Sequence, residues 1–439
     1  MPENDQQESL NNEEELFQEI ANQQEQIEQI DTEGQLTFSV MSAVGMFPVA
    51  NALITIANPN EPENVLATVM TNEDGQTENV ILQTPPFALS QTPGEERPYA
   101  IYYVEISAQG YEDVRIEGTE VFARSITLQP VRMNPIEETN IAKDFIIIPP
   151  HTLYGDFPPK IPEAEIKPLD ESGEIVLSRV VIPEYVVVHD GTPDDDSAPN
   201  YYVRYKDYIK NVASCEIYST WAEASLYANI LCIQSFVLNR VYTEWYRNQG
   251  YNFTITSSTA YDQKWSYGRN VFENIDYIVD SIFNNFLSRP GVTQPIFTSY
   301  CDGERVQCGG LSQWGSQYLA EQGYSAIEII RYYYGNDMYI NSTEFISGVP
   351  ASYPGYTLTI GASGQKVRQL QQQLNRIAQN YPLIPKIAVD GIYGTATKEA
   401  VRVFQQTFKL PQTGDVDYPT WYEISDIFVG VSRIAEPGS

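Results

Sequence analysis

The residue in this sequence whose position best suits acid chemistry is Glu216, at the end of the segment DYIKNVASCE. We predict a helix here with Asp207 as its N-cap, and steps of four residues lead from Tyr208 through Val212 to Glu216. The carboxyl group would therefore fall on the apolar face, and burial raises the pKa of a carboxyl group towards the range that a general acid needs. The alternative is a half-solvated carboxylate at the helix end, bonded to an arginine or a backbone amide.

Glu223 has a structural explanation instead. Thr220 and Glu223 have the spacing of a capping box, which predicts that the next helix runs from about Trp221 to Arg247.

Three motifs place Glu216 in a wider pattern: DYIKNVASCEIYSTWAEASLYANILCIQSFVLNRV, STAYDQKWSYG and GGLSQWGSQYLAEQGYSAIEIIRYYYGNDMYI. In this order they resemble the stage II sporulation protein D and amidase-enhancer family. The resemblance implies a lytic transglycosylase without a cofactor, in which Glu216 cleaves peptidoglycan glycan strands and leaves 1,6-anhydro ends. It also implies that Gln263, Gln313 and Trp314 line the cleft, with Trp314 as a stacking face, although core positions explain all three equally well.

Two departures from that family bear on the site. Family enzymes often carry a Cys and a His that can hold zinc, whereas YCDGERVQCGG supplies Cys301 and Cys308 without a His, so we expect no metal. The two cysteines either form a loop disulfide or remain buried thiols, with the thiols slightly favoured. Arg240 is displaced from the family's arginine position, and some relatives only activate a partner amidase.

The last part of the chain predicts a small helical module. Ser363 can cap a helix with an apolar stripe at Val367, Leu370, Leu374 and Ile377, a second helix follows from Thr395, and a short third helix covers about 420–427. Residues 358–430, with the turn VDGIYGTAT, resemble the three-helix peptidoglycan-binding domain of wall hydrolases. The resemblance implies that Asp390, Tyr393 and Thr397 touch muropeptide or glycan. For Asp390 and its neighbouring glycines, turn chemistry is the alternative.

The whole chain is predicted to be multidomain: an N-terminal all-β sandwich, a central α+β domain and a C-terminal three-helix bundle. The sandwich pattern, with PVANALITI and YYVEISAQGYED, resembles transthyretin-like or carboxypeptidase-regulatory accessory domains. The boundaries follow from composition: acidic tail 1–33, sandwich 34–133, Pro-rich linker or strapped loop 134–180, sporulation-protein-D-like domain 181–346, linker 347–357 and peptidoglycan-binding domain 358–430.

The net charge and the absence of targeting signals exclude some classes of binding partner. With 26 Lys and Arg against 58 Asp and Glu, the net charge is −32, which repels nucleic acid and anionic lipid. The sequence shows no signal peptide and no span of about 18 apolar residues, so we expect synthesis in the cytoplasm and no membrane insertion. We expect the protein to act at the cell wall or spore envelope, and the sequence does not indicate how it is delivered there.

Two other functions compete with the transglycosylase. One is a cysteine hydrolase that pairs Cys215 with His189. The other is a non-catalytic, peptidoglycan-binding adaptor of a spore envelope or phage-tail-like particle, or an activator of a partner amidase.

Overall fold

The computed structural model describes residues 30–136, 144–167, 177–348 and 353–432. Residues 1–29, most of the predicted acidic tail, lie outside this range. The described chain begins with a sheet-rich region, continues with a mixed region and ends with a helical region, in the predicted order. None of the helices in these four ranges is long and apolar enough to cross a membrane.

Two sheets make up the N-terminal region and share one core. Alternate residues of the first strand, Leu36, Phe38 and Val40, are at most 1% exposed, as expected for a strand with one buried face. The five-stranded sheet has the order β3 (Glu61–Met70), β2 (Leu53–Asn58), β5 (Tyr99–Ser107), β6 (Val114–Phe122) and β8 (Asp144–Ile147). The four-stranded sheet has the order β12 (Val271–Phe272), β7 (Ile126–Met133), β1 (Glu33–Ser42) and β4 (Val80–Gln83).

Strands from two other segments complete these sheets. β8 comes from the predicted linker 134–180 and pairs in parallel with β6. β12 comes from the middle region and pairs antiparallel with β7. The N-terminal region is therefore continuous with the middle region, and the segment predicted as a Pro-rich linker or strapped loop contributes a strand.

The middle region is built around one buried helix. Its helices are α1 (Tyr205–Glu216), α2 (Glu223–Tyr242), α3 (Glu273–Ile282), α4 (Gln313–Glu321) and α5 (Ala326–Tyr334). Its strands are β9 (Tyr185–His189), β10 (Asn200–Arg204), β11 (Ile255–Thr256), β13 (Asn285–Ser288), β14 (Tyr300–Cys301), β15 (Leu311–Ser312) and β16 (Tyr339–Ser342). They pair in the orders β10-β9-β11, β13-β16 and β14-β15. Buried residues on all sides of α2 make it the centre of the core.

The first helix begins earlier than predicted. α1 starts at Tyr205, after Arg204 in the N-cap position, so the prediction of Asp207 as N-cap is wrong. Asp207 lies in the first turn, where a negative charge still favours the helix through its dipole.

The start of α2 also corrects a prediction. Ala222 precedes the helix as its N-cap, and the predicted capping box between Thr220 and Glu223 does not form. The side-chain oxygen of Gln317 accepts a hydrogen bond from the Ala222 N–H at 2.9 Å, which satisfies one of the free backbone donors at the start of this helix. The helix ends at Tyr242, before the predicted end at 247.

Three helices form the C-terminal region: α6 (Gln365–Ile377), α7 (Thr395–Thr407) and α8 (Tyr418–Ser432). The stripe predicted for the first of them is buried, with each member at most 1% exposed: Val367, Leu370, Leu374 and Ile377. Gly364 occupies the N-cap position that was predicted for Ser363. α8 extends beyond the predicted 420–427 at both ends.

The C-terminal helices pack against both other regions. The Lys206 ammonium of α1 lies 2.6 Å from Glu423 and 2.9 Å from Asp426, both on α8. On the side of the sheet-rich region, the Tyr381 hydroxyl donates to the Met46 carbonyl at 3.0 Å. These contacts hold the helical region in place, whereas the predicted linker 347–357 implied a loosely tethered module.

The same ion-pair cluster predicts a pH dependence of stability. Lys210 lies 2.7 Å from Asp276 and 3.0 Å from Asp280. Burial, reinforced by the charge of Asp280 and opposed by Lys210, raises the pKa of Asp276 to about 7. Because the folded-state pKa lies above the ordinary value of 3.8, the folded protein favours the protonated acid, and this stabilisation is lost as the pH rises towards about 7.

We therefore expect Asp276→Asn to gain stability relative to the wild type, on the order of 1 kcal/mol, when the pH is raised from 5 to 8. Urea unfolding at the two pH values measures this difference. Asp337→Asn is the matched control because its side chain is 61% exposed. An equal pH dependence in the two variants would contradict the assignment.

Candidate functional site

Glu216 is the last residue of α1 and lies where that helix meets the segment that follows Asp262. Ile217 takes up an extended conformation directly after it, so the chain turns away and leaves the Glu216 side chain half-buried at the helix end. The eight residues before it, 208–215, are all buried, so the end of the helix is packed into the core. The carboxylate is thus half-buried at the end of a packed helix.

Three groups bind Glu216. The Lys264 N–H donates to its Oε1 at 2.8 Å, and the Tyr300 hydroxyl approaches the same oxygen at 3.5 Å. The Gln313 amide donates to the Glu216 carbonyl at 2.7 Å and lies 3.4 Å from Oε2. One carboxylate oxygen is therefore firmly held, while the other has only a long contact.

Gln263 lies in the core next to Tyr300 and does not line an open cleft. It is fully buried, accepts a hydrogen bond from the Tyr208 hydroxyl at 3.0 Å and donates to the Tyr300 hydroxyl at 3.1 Å. Its place in the structure is the core position that the sequence left as the alternative, and it orients Tyr300 towards Glu216.

Trp314 is also placed in the core. Its ring is 5% exposed, its Nε1 donates to the Leu153 carbonyl at 2.6 Å, and the rings of Tyr218 and Trp221 pack on it at 5.8 and 5.0 Å. The predicted stacking face is therefore covered by other side chains. Of the three side chains predicted to line the cleft, only Gln313 contacts Glu216.

Part of the segment predicted to be a Pro-rich linker or a strapped loop crosses this site. We call residues 149–167 the strap. On one side the Leu153 N–H donates to the Tyr218 hydroxyl at 3.1 Å, next to Trp314. On the other side the Lys160 ammonium donates to the Asp262 carbonyl at 2.5 Å. The strap therefore contacts Trp314, which follows Gln313, and Asp262, which lies two residues before Lys264. Its prolines, which impose an extended path, were the only sequence signal for it.

The strap also carries a buried histidine into the junction with the sheet-rich region. His151 Nδ1 lies 2.7 Å from Glu120, and the Arg269 guanidinium lies 2.5 Å from the same carboxylate. Burial lowers the pKa of His151, and the charge of Glu120 opposes this effect without reversing it. The Arg269 guanidinium also donates to the Ser214 carbonyl at 3.0 Å, two residues before Glu216.

The cysteine hydrolase hypothesis finds no support in the geometry. Both ring nitrogens of His189 are engaged, Nδ1 by Asn200 at 2.8 Å and Nε2 by the Thr192 carbonyl at 3.1 Å. The Cys215 thiol faces Asn211 at 3.6 Å, and burial raises the pKa of Cys215, which disfavours the thiolate.

Cys301 and Cys308 form a disulfide, so the slight preference for two thiols is wrong. The bond closes the loop that follows Tyr300, and Arg305 of that loop lies 2.6 Å from Asp156 in the strap. Within the described ranges, no group of three or more His, Cys, Asp or Glu side chains is arranged to hold a metal ion.

The three residues predicted to bind ligand in the C-terminal region differ in accessibility. Asp390 is exposed, and its carboxylate accepts hydrogen bonds from the Ile392 N–H and the Gln371 amide, both at 2.9 Å. Tyr393 is 1% exposed with its hydroxyl bound to the Gly414 carbonyl, and Thr397 is 3% exposed. Only Asp390 is open to a ligand, and it also closes the turn at Gly391, whose φ is +77°.

The C-terminal region matches a known family in sequence. Residues 363–424 match the family model described as "Putative peptidoglycan binding domain". Residues 363–424 are a peptidoglycan-binding domain. This domain begins just before α6, includes α7 and ends within α8. Glu423 and Tyr381, which contact the other two regions, both belong to it. Peptidoglycan is thus a partner of the chain, and the domain points to action at the cell wall.

Two solved structures are similar to parts of the chain. The crystal structure of the SleB N-terminal domain is 30% identical, with 17% of this chain and 97% of that chain covered and a TM-score of 0.15. The chlorocatechol 1,2-dioxygenase from Pseudomonas putida is 14% identical, with 27% of this chain and 59% of that chain covered and a TM-score of 0.15. No curated protein matches the chain.

Proposed function

We propose that the chain binds peptidoglycan through residues 363–424 and cleaves its glycan strands at Glu216 as a lytic transglycosylase. In this proposal the middle region is a sporulation-protein-D-like domain, the two N-terminal sheets are a transthyretin-like sandwich, and the C-terminal helices are a three-helix bundle. The observation that carries the reaction is the asymmetric binding of the Glu216 carboxylate. Oε1 is held at 2.8 Å by the Lys264 N–H, while Oε2 has only the 3.4 Å contact with Gln313 and can carry the reactive proton.

The proposed reaction needs one carboxyl group. The O–H bond of protonated Glu216 breaks as its proton moves to the glycosidic oxygen, and the bond between that oxygen and the sugar's C1 breaks with the electron pair leaving on oxygen. The 6-hydroxyl of the same sugar then attacks C1, and its proton returns to the Glu216 carboxylate. The products are a free hydroxyl and a 1,6-anhydro ring, so no water is consumed and no second carboxylate has to activate one.

A specific observation favours a second candidate. The strap crosses the Glu216 site, and Gln263 and Trp314 are buried, so few side chains near Glu216 are open to a glycan. A non-catalytic protein that holds peptidoglycan as an adaptor, or that activates a partner amidase, would fit this crowding.

Blocking the substrate's own nucleophile tests the proposed reaction. We expect the full chain to cleave purified glycan strands and to lose that activity on strands whose muramyl 6-hydroxyl is acetylated, because no anhydro ring can then close. Liquid chromatography with mass spectrometry measures the products. Equal cleavage of both substrates would indicate hydrolysis by water, and binding without cleavage of either would favour the adaptor.

A further inference from the structure

Lys160 of the strap lies beside Tyr300, the residue whose hydroxyl contacts Glu216. Its ammonium lies 4.6 Å from the centre of the Tyr300 ring and 4.9 Å from that of Phe236. The hydroxyl of the same Tyr300 approaches Glu216 Oε1 at 3.5 Å. Tyr300 therefore stands between a cation from the strap and the candidate acid.

The other acids around Lys160 already have their own cations. The Arg240 guanidinium lies 2.7 Å from Asp262 and 2.6 Å from Glu163, with its side chain fully buried. Lys167 also pairs with Glu163. Among the ion pairs of the described residues, none includes Glu216. Glu216 is thus the carboxylate near Lys160 that has no direct cationic partner among the described residues.

We propose that Lys160 is a positioning residue for Glu216. From the strap it stabilises the carboxylate that forms when Glu216 has delivered its proton, and it holds Tyr300 in place by packing on the ring face. This inference rests on the proposed function, and it assigns the strap a part in the site. A nearby opposite charge in a partly desolvated site favours the ionised form of an acid.

The titratable and charged groups around the pair come from several elements. They are Glu163 and His151 on the strap, Tyr208 on α1, Arg240 on α2, Asp262 before β12, and Tyr300 on β14. Burial lowers the pKa of Lys160, and the charges of Glu216 and Asp262 oppose that effect. Removing the charge of Lys160 should therefore affect the ionisation of Glu216 more than that of Asp262, because Asp262 is already paired with Arg240.

Three substitutions at Lys160 test the proposal in the full chain. Lys160→Met keeps the length and ring packing but removes the charge, Lys160→Gln keeps a donor for the Asp262 carbonyl, and Lys160→Arg keeps the charge. Arg247→Met is the control, because it removes a cation that is 57% exposed. Thermal melts establish that each variant is folded.

Two readouts follow the protonation of Glu216. One is the pH profile of anhydro-product release from sacculi, and the other is the pH dependence of carbodiimide modification of Glu216, measured by peptide mass spectrometry. We expect Lys160→Met and Lys160→Gln to move both midpoints upward by about one pH unit, and Lys160→Arg and Arg247→Met to leave them in place.

Unchanged midpoints in a folded Lys160→Met or Lys160→Gln variant would overturn the proposal, because a purely structural lysine would not move them. If the modification midpoint shifts but the wild type releases no products, the coupling of Lys160 to Glu216 stands and the proposed function fails. The second readout therefore separates the two failures.

Discussion

Replacing Arg269 by methionine is expected to lower the free energy of unfolding by about 3 to 5 kcal/mol, because it leaves a buried carboxylate without its main partner. Arg269 and Glu120 both have fully buried side chains and lie 2.5 Å apart. Arg269 also donates to the carbonyls of Ser214 and Pro149, at 3.0 and 3.2 Å. The variant thus loosens the sheet-rich region, the strap and the end of α1 together.

Urea unfolding at neutral pH measures this loss, with Arg115→Met as the matched control. Arg115 pairs with Glu105 at 2.9 Å on the surface, where an ion pair contributes about 0 to 1 kcal/mol. A double variant that also carries Glu120→Gln should recover part of the stability, since it removes the unpaired charge. Equal, small losses in Arg269→Met and Arg115→Met would contradict the buried pair.

The same ion pair predicts how the free energy of unfolding changes when the pH is lowered. Burial by itself raises the pKa of Glu120, but the charges of Arg269 and His151 outweigh it and lower the pKa below its ordinary value of 4.5. The stabilisation is therefore present above pH 4.5 and is lost as the pH falls through the lowered pKa. The difference between the wild type and Arg269→Met should shrink in acid.

Glu216→Gln is expected to lower the rate of glycan cleavage by a factor of about 10² to 10⁴, the usual contribution of a general acid. Glutamine still offers an oxygen to the Lys264 N–H, which now lies 2.8 Å from Oε1. It has no proton that it can deliver to a glycosidic oxygen, so the geometry remains while the chemistry is lost.

Glu223→Gln is the control for that substitution. It makes the same chemical change seven residues further along the chain, at an exposed position at the start of α2. We expect it to cleave at the wild-type rate and expect both variants to bind sacculi equally. Cleavage by Glu216→Gln at the wild-type rate would remove Glu216 as the acid.

Local patterns predicted the helices around the site. The stripe in α6 and the periodicity that brings Glu216 onto the face of Tyr208 and Val212 depend on contacts three or four residues apart, which a sequence displays directly. Helix starts were predicted less accurately, and at α2 the reason is that a backbone donor binds a distant side chain. That side chain belongs to Gln317, which is 95 residues away from Ala222.

The surroundings of Glu216 could not be predicted in the same way. Lys160 reaches the site only because the strap packs against residues about 100 positions later, and an isolated lysine beside prolines carries no sign of this. Tryptophan is a residue type that often stacks on sugar rings, yet in this protein Leu153 of the strap and two aromatic rings cover Trp314. Both outcomes depend on long-range packing.

The most direct test of the central claim is a single digestion of purified sacculi by the full-length protein, followed by mass spectrometry of the released fragments. The account predicts fragments that end in 1,6-anhydromuramyl residues. Sacculi that retain the bound protein but release no such fragments would contradict it.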